Sequence, residues 1–575
     1  MTEQPQTPAT DPGPTSGSFP AKGDYAAFPR GRDIQAYHLA DDLSGALTVA
    51  MVIFGPWAFG TTQPWAIWCM NLAEYVAGLL LLFKLVVRQT GDYHAPRWDN
   101  FSPRSGAFSR HQPRAVRKLK QILAWLTVIV LAECLISALN AAAYYSPETR
   151  VFHYRPHLEW LPHSFDGGRT WFCFWQYLGL AAAFWAVSDW LAGLSPAEER
   201  SLPGQANRVT LMPVRLRTLL WVLTINGTLL GIEGIVQRES GTDRLLFLLE
   251  PRVNRDCIAQ FASYAYRSNA AQYFNLLWPV CLGFWWTLQC QGGRQRNNTH
   301  HWLLPCAAVI AACPSISSTR GGALISAGML LLAIIYLTVT WAKSRTVTGS
   351  VAAAKPAPMS RSREALVPSD LPNGDKSASS AGLSRTTATS PASLDAAKPG
   401  NRNPGLLPMA FIAVTLALAW YFGWKSLAPR MEQIEGGYEG RDAMQQAAEP
   451  MVRDYPLFGT GPGSFATVFQ LYRFSDDVYW SEQAYDDWLE IRITLGWLGF
   501  GLLLAALAAT ALRGFLPGGV RGHRSLVFFA WVALGGCLLH ARFDIPFQIH
   551  STLFVFLLIC AILLNLGRTP GISGR

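Results

Sequence analysis

"LGWLGFGLLLAALAATA", residues 495 to 511, runs for seventeen residues without a charge. Joined to the "WLEIRIT" before it, the block covers 488 to 511, long enough to cross a hydrocarbon layer about 30 Å thick, which takes about 20 residues of helix. Backbone groups find no water in lipid, so such a block must be helical. Working outward, further blocks of this kind lie at 43–60, 65–87, 121–143, 170–192, 217–236, 270–289, 302–317, 322–341, 406–424, 525–541 and 548–567. Half of the 575 residues are hydrophobic and only 15% are charged, and they gather in blocks instead of following a soluble amphipathic pattern. The expected fold class is therefore all-α: a polytopic transmembrane helical bundle of about 12 spans.

The segments between the blocks set the organisation. Residues 1–42 are rich in Pro, Gly, Ser and Thr and lack the apolar core of a signal peptide, so a disordered cytoplasmic tail is expected. Residues 342–405, rich in Ser, Ala, Pro and Thr and basic, read as a disordered cytoplasmic linker between spans 1–8 (43–341) and spans 9–12 (406–567), and 568–575 as a cytoplasmic tail. The connector 88–120 carries Arg88, Arg97, Arg114, Arg117, Lys118 and Lys120, which places it inside by the positive-inside rule. The long loop 425–487 is acidic, with Glu432, Glu439, Asp442, Glu449 and Glu482, and belongs outside, in the periplasm, with both termini inside. The net charge of +10 is thereby a topology signal, and membrane lipids, not nucleic acid, are the expected surroundings. Within this loop Met444, Ala447, Ala448 and Met451 keep the i, i+3, i+4, i+7 spacing of an amphipathic helix, with Pro450 near its end. Ten cysteines without a CxxC pair read as small apolar core residues.

The same loop contains "RDYPLFGTGPGSF", residues 453–465. A phosphate-binding loop of the Walker type needs a Gly-Lys-Ser/Thr ending after a strand, and this stretch has neither. Pro456, Gly459, Gly461 and Gly463 are expected to shape the loop by ending the preceding helix, with Ser464 capping another through Phe465, Val468, Phe469 and Tyr472.

Charges at the edges of apolar spans are the candidates for chemistry. Arg267 in "YAYRSNAAQYF", Arg320 in "SSTRGGALIS" and Arg441 in "YEGRDAMQQAAEPM" all fall on the outer side. A cation at the bilayer midplane costs at least about 2.5 kcal/mol. A single arginine there either snorkels, pairs with an acid such as Glu233, or binds a ligand, whereas three on one side favour an anionic ligand. "SEQAYDDWLEIR" puts Asp486, Asp487 and Glu490 at the mouth of the tenth span, as a helix start or as the source of a general base. "LLHARFDIPFQIHS" sets His540, Arg542, Asp544 and His550 in the final outer turn, where they either close a hairpin by an ion pair or serve a site. No HExxH or Cys/His ligand pattern is present, so neither metal nor cofactor is expected.

Taken in order, "SSTRGGALIS", the loop "GRDAMQQAAEPMVRDYPLFGTGPGSF", "QAYDDWLEIRITLGWLGF" and "HARFDIPFQIHS" resemble the O-antigen ligase and O-antigen polymerase family of bacterial inner-membrane glycosyltransferases. The resemblance covers most of 43–567 and is most specific over about 300–510. It implies a periplasm-facing enzyme that moves a glycan from undecaprenyl pyrophosphate to an acceptor, either lipid A core or a growing polysaccharide. On this resemblance Arg320, Arg441 and, more loosely, Arg267 bind pyrophosphate and glycan, together with Arg542. The family's His-Asn pair is replaced here by Tyr485 and Asp486. A tyrosine with a pKa near 10 is a poor base at neutral pH, which leaves Asp486, Asp487 or His540 to deprotonate the acceptor. Two other readings are a transporter or flippase of lipid-linked sugars and a catalytically inactive scaffold for polysaccharide assembly. The transporter reading would call for inverted repeats and motifs on both faces.

Overall fold

The computed structural model describes residues 31 to 567 apart from 91, 92, 94, 103–106, 109–111, 202–211, 292–298, 354–405, 433–438, 474–480 and 517–522. The described residues are 76% helical. In chain order the helices are α1 (Gly31–Trp57), α2 (Pro64–Thr90), α3 (Arg114–Leu139), α4 (Gly167–Ala192), α5 (Pro196–Ser201), α6 (Val214–Ser240), α7 (Arg267–Gln291) and α8 (Leu303–Ile316). They continue with α9 (Arg320–Ala353), α10 (Leu406–Leu418), α11 (Lys425–Glu432), α12 (Glu439–Asp454), α13 (Phe465–Val468), α14 (Asp487–Arg513), α15 (Arg524–His540) and α16 (His550–Asn565). All twelve apolar blocks fall on helix. Among the described residues seven helical stretches are long and apolar enough to cross a membrane: α1, α2, α3, α6, the first 21 residues of α9, the run from α10 to α11, and α14. The apolar helices α15 and α16 are shorter, at 17 and 16 residues.

Several boundaries differ from the sequence reading. Two short antiparallel hairpins, β1 (Phe101–Ser102) with β2 (Ala107–Phe108) and β3 (Ala143–Ser146) with β4 (Val151–Tyr154), break the all-α pattern. Helix α1 starts at Gly31, inside the stretch expected to be tail, because Asp41 is drawn into the bundle by Lys84 (3.0 Å) and Arg215 (2.6 Å). The α9 backbone runs on to Ala353. The ninth block continues through a π-helical turn, Ala419–Trp424, into α11, so the outer loop begins later than 425. Residues 1–30, the rest of the linker from 354 and the tail 568–575 lie outside the described residues. Helix α12 has the expected buried stripe: Ala447, Ala448 and Met451 pack on Phe465, Phe469, Leu489 and Ile493, and the helix passes through Pro450 without ending. Ser464 does not cap α13 through its side chain; its hydroxyl donates instead to Gly461 O and Thr460 Oγ1.

The glycine stretch does more than turn. Helix α14 is broken at Gly496 (φ 61°, ψ −168°). In an unbroken helix the amides of Trp497 and Leu498 would bond the carbonyls of Ile493 and Thr494. Here the loop is inserted between them. Trp497 N donates to Pro456 O (2.8 Å) and Leu498 N to Leu457 O (3.1 Å), while Ile493 O and Thr494 O accept from Thr460 N (2.8 Å) and Gly461 N (3.0 Å). All four groups freed by the break are therefore satisfied, as a polar backbone away from water requires. Gly459, Gly461 and Gly463 all have positive φ, and a Cβ would run into the α14 backbone at Gly459, into Ser164 at Gly461 and into Cys173 at Gly463.

At the opposite helix ends sits a buried ion network that draws partners from four parts of the chain. Asp189 at the end of α4 accepts from Lys84 (2.9 Å), Arg88 (2.7 Å) and Arg97 (2.7 Å), and Asp99 holds Arg97 (3.3 Å) and Lys120 (3.0 Å). Three of the bases assigned by sequence to a solvated connector, Arg88, Arg97 and Lys120, are thus spent on fixing α2, α3 and α4 to one another. A buried ion is tolerated only when paired in this way.

Candidate functional site

A cleft of about 190 Å³ opens where the turn after α8 and the last turns of α11 and α15 meet the first turns of α7, α9 and α12. It is lined by Tyr266, Arg267, Ser268, Ser318, Thr319, Arg320, Gly321, Arg430, Arg441, His540, Phe543 and Asp544. Four guanidinium groups face one carboxylate, an excess that suits an anion. The residues get there by helix ends. Helix α8 ends at Ile316, and Ser318 turns the chain with φ 60°, so α9 begins inside the cleft with Arg320 and Gly321. The first amides of a helix lack intrahelical partners and carry the positive end of its dipole. Gly321 leaves this opening turn bare, since a Cβ there would come no closer than 3.6 Å to His540 Nε2.

Arg441 is held from three sides. Its Nη1 donates to Phe543 O (3.0 Å), its Nη2 to Tyr266 OH (2.8 Å), and its guanidinium lies 4.6 Å from the centre of the Tyr485 ring. Tyr485 itself has φ 50°, a strained value for an aromatic residue, and burial pushes its phenol above the usual range. It acts here as a platform for Arg441, and not as a base at neutral pH. Asp544 is buried and anchors the neighbouring wall: it accepts from Ser268 Oγ, from Tyr266 OH (3.4 Å) and from Ile545 N (3.1 Å). Arg267 donates to Ile258 O (2.8 Å), and Arg430 reaches Ser318 O (3.4 Å). His540 is 2% exposed, and its Nδ1 has no hydrogen-bond partner among the described residues.

Five of the residues singled out from sequence, Arg267, Arg320, Arg441, His540 and Asp544, meet in this cleft, although they are separated by as much as 277 positions in the chain. Asp486, Asp487 and Arg542 do not line it. Asp486 is the N-cap of α14, accepting from Trp488 N (3.1 Å) and Leu489 N (3.2 Å), and its other oxygen pairs with Arg542 at 2.7 Å. Asp487 is fully enclosed and accepts from Phe547 N (2.7 Å). Arg542, half exposed, is committed to Asp486. Pro456, Gly459, Gly461 and Gly463 belong to the loop inserted in α14, outside the cleft lining. His550 turns into the bundle instead, where Nε2 meets Glu74 Oε1 (3.0 Å) and Nδ1 meets Gln176 Nε2 (3.1 Å). Glu233 does not pair with Arg320, since neither of its carboxylate oxygens has a hydrogen-bond partner. Sequence reasoning missed Arg430, Tyr266 and Ser268. The last two flank Arg267 directly, so the signal was adjacency, whereas Arg430 was counted as loop because the helix extends past its apolar part.

The Asp486 geometry predicts a modest phenotype. Asn caps helices as well as Asp, and an ion pair to a half-exposed arginine is worth at most about 1 kcal/mol. Asp486→Asn should keep stability within about 1 kcal/mol in a thermal melt. Burial raises the Asp486 carboxyl above its ordinary value against the opposing pull of the Leu489 and Trp488 amides and Arg542. A raised folded-state pKa favours the protonated folded form, so this group's contribution to stability is present at low pH and declines from about pH 4 through the raised value. The Asn variant should lack that slope.

The chain matches no protein-family model and no curated protein in sequence.

Proposed function

We propose that the protein is an O-antigen ligase-like glycosyltransferase of the bacterial inner membrane, with about twelve spans, cytoplasmic termini and the cleft facing the periplasm. It transfers a glycan from undecaprenyl pyrophosphate to a hydroxyl of lipid A core or of a growing polysaccharide. The observation that carries this reading is the convergence of Arg267, Arg320, Arg430 and Arg441 at the start of α9. Guanidinium groups and helix-start amides together suit phosphate oxygens. The orientation rests on the basic ion network at the far helix ends, which the positive-inside rule assigns to the cytoplasm.

In the reaction the acceptor oxygen attacks the anomeric carbon from the face opposite the pyrophosphate, and the configuration inverts. The bond from the anomeric carbon to the pyrophosphate oxygen breaks, its electron pair stays on that oxygen, and the arginines hold the charge that develops. The acceptor proton passes to His540, the base candidate that lines the cleft.

The test supplies purified protein with a synthetic undecaprenyl-pyrophosphate glycan and either acceptor class. Release of lipid pyrophosphate with an inverted glycosidic product is expected, lost in His540→Gln and kept in Asp486→Asn. Absence of turnover with every acceptor would refute the reading, and loss in Asp486→Asn alone would move the base to that residue.

A further inference from the structure

The outer loop between β4 and α4 carries "HLEWLPH", residues 157–163, and side chains at the end of α3 hold it by hydrogen bonds. Asn140, just past the end of α3, donates from Nδ2 to Leu158 O (2.9 Å) and Pro162 O (3.2 Å), and its Oδ1 accepts from Leu158 N (2.9 Å). Ser137 Oγ donates to His163 O (2.9 Å). The loop is thereby fixed to the end of α3 at both its beginning and its end.

Two imidazoles are presented by this frame. His157 Nδ1 lies 3.4 Å from Arg155 O, and His163 Nδ1 lies 3.1 Å from Leu161 O. A carbonyl can only accept, so both contacts are hydrogen bonds in the tautomer that places the proton on Nδ1 and the lone pair on Nε2. Metal-bound histidines have this arrangement, with the second nitrogen donating to a backbone carbonyl and fixing the tautomer. The ring centres are 5.0 Å apart and tilted by 45°. Two imidazoles on one tetrahedral ion, with metal–nitrogen bonds of about 2.0–2.1 Å, would have their centres roughly 5 Å apart. Both rings are half-buried, which leaves a side open to solvent. Ring packing alone would produce the spacing, but it does not require both Nδ1 atoms to be turned onto carbonyls.

We propose that His157 and His163 bind a divalent transition-metal ion of the imidazole-preferring class, zinc or copper(II), through their Nε2 atoms, with water completing the coordination. The site lies apart from the arginine cleft and does not depend on the transferase reading. No group of three or more His, Cys, Asp or Glu side chains able to hold a metal occurs among the described residues, so this is a two-histidine chelate.

The experiment uses the full chain in detergent, purified without a histidine tag. One equivalent of copper(II) should give an electron paramagnetic resonance spectrum with two coordinated imidazole nitrogens. Zinc titrated against a chromophoric chelator should bind at one equivalent, weakened at least about tenfold by His157→Ala or His163→Ala and unchanged by His153→Ala. Should the variants fail to fold, zinc protection of His157 and His163 from diethyl pyrocarbonate, read by mass spectrometry on the unmodified chain, decides the same point. A spectrum with one imidazole or none, unaltered zinc affinity in the double variant, or equal modification with and without zinc would overturn the proposal.

Discussion

Replacing Arg441 by alanine is expected to lower lipid-pyrophosphate release by about 10²–10³-fold, equivalent to about 2.7–4 kcal/mol of transition-state stabilisation, the range seen when one preorganised charge-stabilising donor is removed. The argument rests on how firmly this side chain is placed. Its two terminal nitrogens are tied to Phe543 O and Tyr266 OH, and its face is seated on Tyr485, so the guanidinium is oriented before any ligand arrives. Preorganisation of this kind avoids reorganisation during reaction. Lysine should rescue little, since a single ammonium cannot span both anchors or lie flat on the ring. Arg320→Ala should fall as far, because it removes the cation from the first residue of α9. Both variants are measured by kcat/KM with the synthetic donor. Full turnover in either one would remove that arginine from the site.

The cleft was legible in the sequence for an energetic reason. Arginines at the borders of apolar blocks are expensive unless something employs them, so Arg267, Arg320 and Arg441 stood out singly, and their shared side of the membrane suggested a common ligand. Arg430 carried no such signal, because its helix outruns its apolar part. The ion network around Asp189 was equally invisible. Its partners Lys84, Arg88 and Arg97 are about a hundred positions away, and a basic connector looks the same whether its charges meet solvent or a buried carboxylate. The carboxylates of "YDDWLE" were read correctly as a helix start in one of their two interpretations. The geometry gives Asp486 a cap and an ion pair, and the Asp486→Asn measurement decides whether it also serves as a base. Tyr485, noticed only as a missing histidine, turns out to support Arg441.

Gly496→Ala is expected to be strongly destabilising. A non-glycine residue at φ 61° and ψ −168° costs about 1–3 kcal/mol in backbone strain, and the new Cβ would stand 2.3 Å from Leu457 O and 2.7 Å from Gly459 N. Overpacking adds about 1–3 kcal/mol, and here the obstructing atoms are backbone, which cannot rotate away. Relief requires the loop to withdraw, which breaks all four loop–helix hydrogen bonds and leaves Pro456 O, Leu457 O, Thr460 N and Gly461 N without them even if α14 closes into a continuous helix. Gly459→Ala meets the same obstacle from the other side, with a Cβ 2.5 Å from Ile493 O. Gly501→Ala, five residues further along the same helix, meets nothing within 4 Å and should be neutral or slightly stabilising, by up to about 1 kcal/mol. Membrane abundance and melting temperature in detergent distinguish these outcomes. If Gly496→Ala accumulated and melted like the unaltered protein, the insertion of the loop into α14 would be wrong. The break also explains why "LGWLGFG" looks like any other membrane segment: the bonds that make it special come from residues 456 to 461, and glycine within a transmembrane run is too common to announce them.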